Sequence, residues 1–398
     1  MRRTMNRAMF LFAAMMIATF ASIRLTADIG MCGGTNITVP FTDVAGNIFF
    51  CEIAEAFFSG LTYGTTATTF SPGSTVTRDQ MTAFTTRTLD QSLNRGKSRA
   101  ALGRWWTPTP QYDNGIGVTP IGVEPAGISF DGADLWVADA GGDTVTRVRA
   151  SDGRVLEKWT GAINPVGVLV ALGRVFVTGQ TFAGKLYMID PSQTAGAVTT
   201  VADLGNSPGC ITFDGSRIWV GYTHPGGGLS IITPKATFPW DVTNVTADPD
   251  FFFRGFIYDG FNIWATDFGD RLLKLDSNGA ILATVNILGN PALMTFDGTN
   301  IWVPRLTGNA VSVVRASTGE ILANFTGNGL NFPFAAAFDG ERILITNQNG
   351  HSVSLWKATD FTPLGNFPTG TQGRPDEVCS DGLNFWITMV DSGVLARF

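Results

Sequence analysis

Apolar and polar positions alternate in short runs along most of the chain, and one run recurs. Residues 211–220 read as an apolar strand, an Asp-Gly pair, two polar residues and a second strand closing on Ile-Trp-Val. Near-copies stand at 128–137, 294–303 and 336–345, with more worn versions at 168–177, 256–265 and 378–387. The turn glycines Gly132, Gly173, Gly215, Gly260, Gly298, Gly340 and Gly382 are separated by 41, 42, 45, 38, 42 and 42 residues. Self-similarity at a nearly fixed period of about 40 residues marks one structural unit used repeatedly.

Within a unit the pattern predicts four strands. A proline stands seven residues before the glycine at Pro125, Pro208, Pro291, Pro333 and Pro375; Pro165 is one residue further out, and the fourth unit has Phe253-Arg254 there instead. Small residues follow, as in Ala126-Gly127, Val166-Gly167 and Ala335-Ala336-Ala337. They suit an innermost strand, where chains crowd toward an axis. The Asp-Gly pair supplies the positive φ of a two-residue hairpin turn. The second strand carries one large apolar residue per unit (Trp136, Phe176, Trp219, Trp264, Trp302, Leu344, Trp386), and that even spacing assigns them to packing between units. The third and fourth strands are clearest where 148–161 nearly duplicates 314–327, each a strand, a turn and a strand with period-2 alternation. The expected fold is therefore mainly β: a seven-bladed β-propeller of four-stranded blades over 107–398, which hides strand edges by stacking blades around a ring. The last unit reaches only its third strand at 395–398, so residues 111–123 are expected to supply its fourth and close the ring.

These units resemble propellers of the YVTN and NHL types found in bacterial surface proteins, and the virginiamycin B lyase-like propellers. The resemblance spans about 123–398 and concerns fold, because propellers host many activities. The lyase-like family implies a histidine general base and a metal held by acidic and histidine side chains on the loop face. This chain has two histidines, His224 and His351, three repeats apart and without a neighbouring Glu. General acid–base catalysis needs groups within hydrogen-bond reach. A non-catalytic propeller is expected, with no catalytic residue, metal or cofactor; a lyase-like enzyme using loop-face residues is the alternative. A small-ligand site would lie at the axial mouth on the side of the proline loops, with Glu124, Asp139, His224, Arg254, Asp267, Arg305, Asn347, His351, Asp376 and Glu377 as candidates. Arg254, Asp376 and Glu377 stand where other units carry small or apolar residues. Unusual charge at such a position points to a task; the competing reading is solvated loop charge, or opposite signs pairing across the mouth.

Arg2, Arg3 and Arg7 precede an apolar run at 8–23, with no acidic residue before Asp28. This is the layout of a secretory signal. Its 16 residues, ended by Arg24, fall short of the roughly 20 that span a bilayer. Residues 1–27 are read as a signal peptide, with cleavage after Ala21 or Ala27 and no membrane span afterwards. Cys32 and Cys51 are candidates to pair in an oxidising compartment. Cys210 and Cys379 read as small buried hydrophobes, and the four cysteines lack metal-ligand spacing.

Residues 38–104 have a helical character. Ile48, Ile53, Ala54, Phe57 and Phe58 are expected on one helix face, and Thr77 with Gln80 forms a capping box opening a second helix through Met81, Phe84 and Leu89. The run Phe41-x-Asp43-Val44, then Gly60-x-x-x-Gly64, then Phe70-x-Pro72 and Val76-Thr77-Arg78 resembles one surface-layer homology (SLH) motif. That resemblance implies attachment to cell-wall or envelope polysaccharide. Thr77 and Arg78 match the family's glycan-binding pair, and Asp43 matches the acidic position of the first segment. Asp79-Gln80 replaces the usual Ala-Glu, and one motif is present where the family packs three. Either three chains supply one each, giving a homo-oligomer, or the segment is a small helical adaptor. Arg95, Lys97, Arg99 and Arg104 continue as a basic connector, ended by the prolines of 107–110. The sum is an exported, S-layer-associated surface protein whose propeller is a binding or interaction scaffold, for a ligand or for other surface proteins. A net charge of −6 without any run of like charge argues against nucleic acid as a partner.

Overall fold

The computed structural model describes residues 27–32, 35–58, 62, 64–78, 80–82, 84, 117–224, 228–245, 252–370 and 373–398. The chain divides into two compact units, Met1–Asn94 and Arg95–Phe398. The apolar run at 8–23 and the basic connector lie outside the described residues.

Among the described residues of the second unit, 28 strands form seven antiparallel four-stranded sheets. Blade 1 runs Pro125–Phe130, Asp134–Asp139, Thr144–Arg149, Val155–Thr160 from inside to outside. Blades 2 to 6 repeat this order, with innermost strands Pro165–Ala171, Pro208–Phe213, Phe253–Tyr258, Thr295–Phe296 and Pro333–Phe338. Blade 7 contains Pro375–Ser380, Phe385–Met389 and Val394–Arg397, and its outer strand is Gly117–Pro120. Gly117 pairs with Arg397 and Pro120 with Val394, so a segment preceding blade 1 closes blade 7. The innermost strands touch in sequence around the ring, the seventh meeting the first. The architecture is a seven-bladed β-propeller.

Each Asp-Gly turn does more than reverse the chain. In blade 3 Gly215 takes φ +93°, and the Asp214 N–H closes on the Arg217 carbonyl at 3.1 Å. Only the glycine needs positive φ; the aspartate contributes its side chain. Asp214 Oδ1 accepts the Ser216 and Arg217 N–H groups at 2.9 and 2.6 Å, and Oδ2 accepts the Trp219 indole N–H at 2.8 Å. The same indole–carboxylate bond joins Trp136 to Asp131, Trp264 to Asp259, Trp302 to Asp297 and Trp386 to Asp381, at 2.7–2.8 Å. Where the tryptophan is missing the bond changes with it. In blade 6, with Leu344, Asp339 bonds Arg342 at 2.7 Å instead; blade 2, with Phe176, has Leu172 where the aspartate would stand. Burial raises the Asp214 carboxyl, but the Trp219 and backbone donors outweigh it and hold the group below its ordinary value.

The five tryptophans so held are fully buried, and each packs into the next blade. Trp219 joins Ile263 and Ala265 of blade 4, Trp302 joins Ile343 and Ile345 of blade 6, and Trp386 joins Leu135 and Val137 of blade 1. Among the described residues of the propeller, seven such apolar clusters, one per interface, form the core. This is the inter-blade packing expected from the even spacing.

Small residues on the inner strands answer to backbone contact. A Cβ on Gly127 would lie 2.0 Å from the Val166 carbonyl, and one on Gly167 2.4 Å from the Gly209 carbonyl. The pairing register shifts just after the leading proline, as between Pro165 and Val168 or Pro375 and Val378, so two residues leave the ladder as a bulge. Threonines of the second strand replace the lost partners. Thr178 Oγ1 accepts the Gly167 N–H at 2.9 Å and donates to the Gly209 carbonyl of the next blade at 2.9 Å. Thr346 likewise takes the Ala335 N–H at 3.0 Å and donates to the Asp376 carbonyl at 2.8 Å.

The N-terminal unit has a hairpin, Asp28–Cys32 with Thr35–Val39, and a helix Phe50–Phe58. Cys32 and Cys51 form a disulfide joining them. Phe41 is buried against Phe57 and Phe70, with ring centroids 5.2 and 5.5 Å apart. Asp43 accepts the Phe70 and Ser71 N–H groups at 2.8 and 2.7 Å, so its carboxylate ties the second half of the unit to the first. Thr77 and Gln80 make the reciprocal cap, Thr77 N–H to Gln80 Oε1 at 2.9 Å and Gln80 N–H to Thr77 Oγ1 at 3.4 Å; Arg78 is exposed beside it. The helix is shorter than its apolar pattern suggests. Asn47 accepts the Phe49 and Phe50 N–H groups, fixing the start beyond Ile48, which is 86% exposed. Ile48 therefore does not share the face of Ile53 and Ala54, and Phe58 is also exposed.

Removing residues 107–122 takes away the outer strand of blade 7 with buried Val118 and Ile121. Thermal denaturation should show the propeller melting about 10 °C or more lower, at the usual few degrees per kcal/mol for a domain of this size; an unchanged midpoint contradicts closure by this strand.

Candidate functional site: a charged axial cavity

The bulged residues behind each leading proline converge on the axis, where they line a cavity of about 450 Å³. Its walls are apolar or small in most blades, for example Ile128, Val168, Ile211, Phe256, Met294 and Val378. Three charged side chains interrupt them: Arg254 from blade 4, and Asp376 and Glu377 from blade 7. These are the three residues that depart from the repeat at these positions, and the fold brings them into one cavity.

Arg254 is held by its surroundings rather than by a counter-charge. Its guanidinium carbon lies 3.9 Å over the Phe268 ring centroid, and Nη2 donates to Asn290 Oδ1 at 3.2 Å. Nε is buried without a hydrogen-bond partner, and among the described residues no carboxylate pairs with it. Burial lowers its pKa to about 10, which leaves the group protonated at neutral pH.

Asp376 and Glu377 keep some accessible surface, and that surface faces the cavity; protein encloses them otherwise. Burial raises Asp376 to about 6, with Arg374 and a hydrogen bond from Gln348 opposing the rise and Asp391 and Glu124 adding to it. Burial raises Glu377 to about 8; Asp376 adds to this, and the Ile128 N–H donating to the carboxyl opposes it. At neutral pH Asp376 is therefore mostly ionised and Glu377 mostly protonated. The adjacent acids hold roughly one proton between them, a donor beside an acceptor. Cys210 also lines the cavity, and burial pushes its thiol up to about 12, away from the reactive thiolate. Gln180 and Thr223 close one side with a 3.0 Å bond to each other.

The other candidates fall elsewhere. Glu124 is exposed, outside the lining, and acts on Asp376 only through its charge. His224 and His351 are exposed and do not line the cavity. Arg305 donates to the Leu288 carbonyl and to Asn324 Oδ1, bracing its own loop. Asp139 clamps the Val123 and Glu124 N–H groups, Asp267 pairs with Arg271, and Asn347 bonds Ser352 and Ser354. These residues stand at the second-strand ends, where their neighbours' backbone and side chains occupy them. Among the described residues no three His, Cys, Asp or Glu side chains are grouped as a metal site requires.

No family model matches the chain, and no curated protein does. Solved structures do. A catalytically inactive virginiamycin B lyase from Staphylococcus aureus with quinupristin superimposes with a TM-score of 0.58 at 16% identity, over 71% of this chain and 98% of that one. Hydrazine synthase from Kuenenia stuttgartiensis gives 0.58 at 16% identity, over 73% and 96%. The WD40 propeller domain of Doa1 gives 0.57 at 10% identity, over 73% and 97%. The likeness is one of fold. The chain has the seven-bladed propeller architecture, with virginiamycin B lyase among its structural neighbours, and neighbours this diverse leave function to the chain's own residues.

The raised carboxyls have a pH signature. Between their ordinary values, 3.8 and 4.5, and their raised values near 6 and 8, the folded protein binds more protons at Asp376 and Glu377 than the unfolded chain does. Their contribution is present in full below about pH 4 and is lost as pH rises to about 8. Glu377→Gln should therefore flatten the fall in melting temperature between pH 5 and 8; a slope equal to that of the wild type contradicts an enclosed, raised carboxyl.

Proposed function

We propose that this is a non-catalytic, exported protein of the cell envelope that captures a small ligand in its axial cavity. The observation that carries the binding half is the convergence of Arg254, Asp376 and Glu377 on one cavity, while the equivalent positions of other blades are small or apolar. A cavity of this size lies within the usual range of small-ligand sites, ~300–1,000 Å³. The Cys32–Cys51 disulfide supports export, since such bonds persist in oxidising compartments. In this reading the N-terminal unit attaches to envelope polysaccharide or self-associates. Asp43 shapes the unit by holding its loop, and exposed Arg78 beside the Thr77 cap makes the glycan contact. A lyase-like enzyme is disfavoured because both histidines stand off the cavity.

Sedimentation with isolated cell wall tests the envelope half. The full chain should pellet with the wall and Arg78→Ala should pellet about tenfold less, an effect of about 1.4 kcal/mol. Wild-type protein remaining in the supernatant contradicts attachment.

A further inference from the structure

We infer that the axial cavity is a binding site for a short zwitterionic peptide, two or three apolar residues with free termini. Its carboxylate would meet Arg254 and its ammonium Asp376. This rests on the reading above that the cavity is a ligand site.

The chemistry at each end sets the class. Arg254 is a half-buried cation whose positive charge faces no carboxylate among the described residues, and its buried Nε lacks an acceptor. Leaving a desolvated charge unpaired is unfavourable, and a ligand carboxylate accepting at Nε offsets that. Phe268 beneath the guanidinium plane and Asn290 at Nη2 fix the group without neutralising it, which preorganises it for an anion. On blade 7 Asp376 presents a carboxylate steadied by Gln348. Glu377 beside it, largely protonated at neutral pH, offers a hydroxyl donor and does not add a second full negative charge. The groups around this acid pair are Arg374, Glu124, Asp391, Gln348 and the Ile128 N–H. The cavity is thus itself zwitterionic, one positive and one negative side chain on opposite arcs of the ring. A lone cation would leave Arg254 unmatched, and a lone anion would leave Asp376 with only Arg374 and Gln348 to oppose its charge.

Spacing and walls narrow the class further. Blades 4 and 7 are three blades apart in the ring, so a ligand engaging both ends must separate its charges by more than the single carbon of a free amino acid. A peptide unit or two supplies the length. The wall between the charged groups is formed by Ile211, Phe256, Met294, Val168 and Ile128, which favours apolar side chains.

Calorimetric titration of the full chain at pH 7 with leucyl-leucine, its amide, its N-acetyl derivative and the doubly blocked form tests this. The free dipeptide should bind, and blocking either end should weaken binding about tenfold or more, since each block removes a charge-assisted contact. Arg254→Gln should abolish the preference for the free carboxylate while keeping the preference for the free amine; Asp376→Asn should do the reverse. Each variant's retained preference shows that it is folded. Equal binding of all four forms overturns the zwitterion assignment and leaves the cavity as a binding site. Binding of none overturns both the assignment and the cavity's role.

Discussion

The structure depends on one bond made in five of its seven blades, from a buried indole N–H to the aspartate of the preceding turn. A tryptophan wedged between two sheets contributes a large apolar area, but its N–H needs an acceptor, and a buried unsatisfied donor costs about 1–3 kcal/mol. The turn aspartate meets that need with one oxygen while the other orders the turn. Two residue types that could be read separately, an Asp-Gly hairpin and a hydrophobic wedge, are thus one device. The exceptions support this: without a tryptophan, blade 6 gives its aspartate to Arg342 and blade 2 has none.

This device puts stability at the interfaces between blades and frees the inner rim. Inner strands need only be small enough for their neighbours' backbone to approach, as Gly127 and Gly167 show, with threonines of the second strand replacing hydrogen bonds lost at the bulges. A charged residue can then stand on the rim without disturbing the packing. Arg254, Asp376 and Glu377 do so, at the cost of desolvation that lowers the pKa of the arginine and raises those of the two acids. Groups so placed weaken the fold, and the proposed ligand would offset that.

Much of this was legible in the sequence because the repeat gives every position seven versions to compare. The leading proline, the turn glycine and the wedge residue set the blade count, and the short last unit pointed to closure by the strand now seen at Gly117–Pro120. The same comparison singled out Arg254, Asp376 and Glu377 as departures. It could not separate them from His224, Arg305 and His351, because loop positions vary for many reasons and only the closed ring defines which residues reach the axis. The threonine links were missed because a polar residue in a strand reads as solvent-facing under simple alternation, whereas Thr178 and Thr346 are fully buried. In the N-terminal unit the capping box was plain from Thr77 and Gln80, while the Asp28–Cys32 hairpin was not, and the apolar period carried the helix past a start that Asn47 fixes.

The separation of scaffold and site is the central claim, and returning the rim to the residues of other blades tests it most directly. The triple variant Arg254→Ala, Asp376→Ala, Glu377→Ala should melt at or above the wild-type temperature at pH 7, because it removes buried charge and leaves every inter-blade cluster intact. A fall comparable to that of Asp297→Ala, which strips the turn and the Trp302 indole of their acceptor, would make the three charges part of the scaffold and contradict the account.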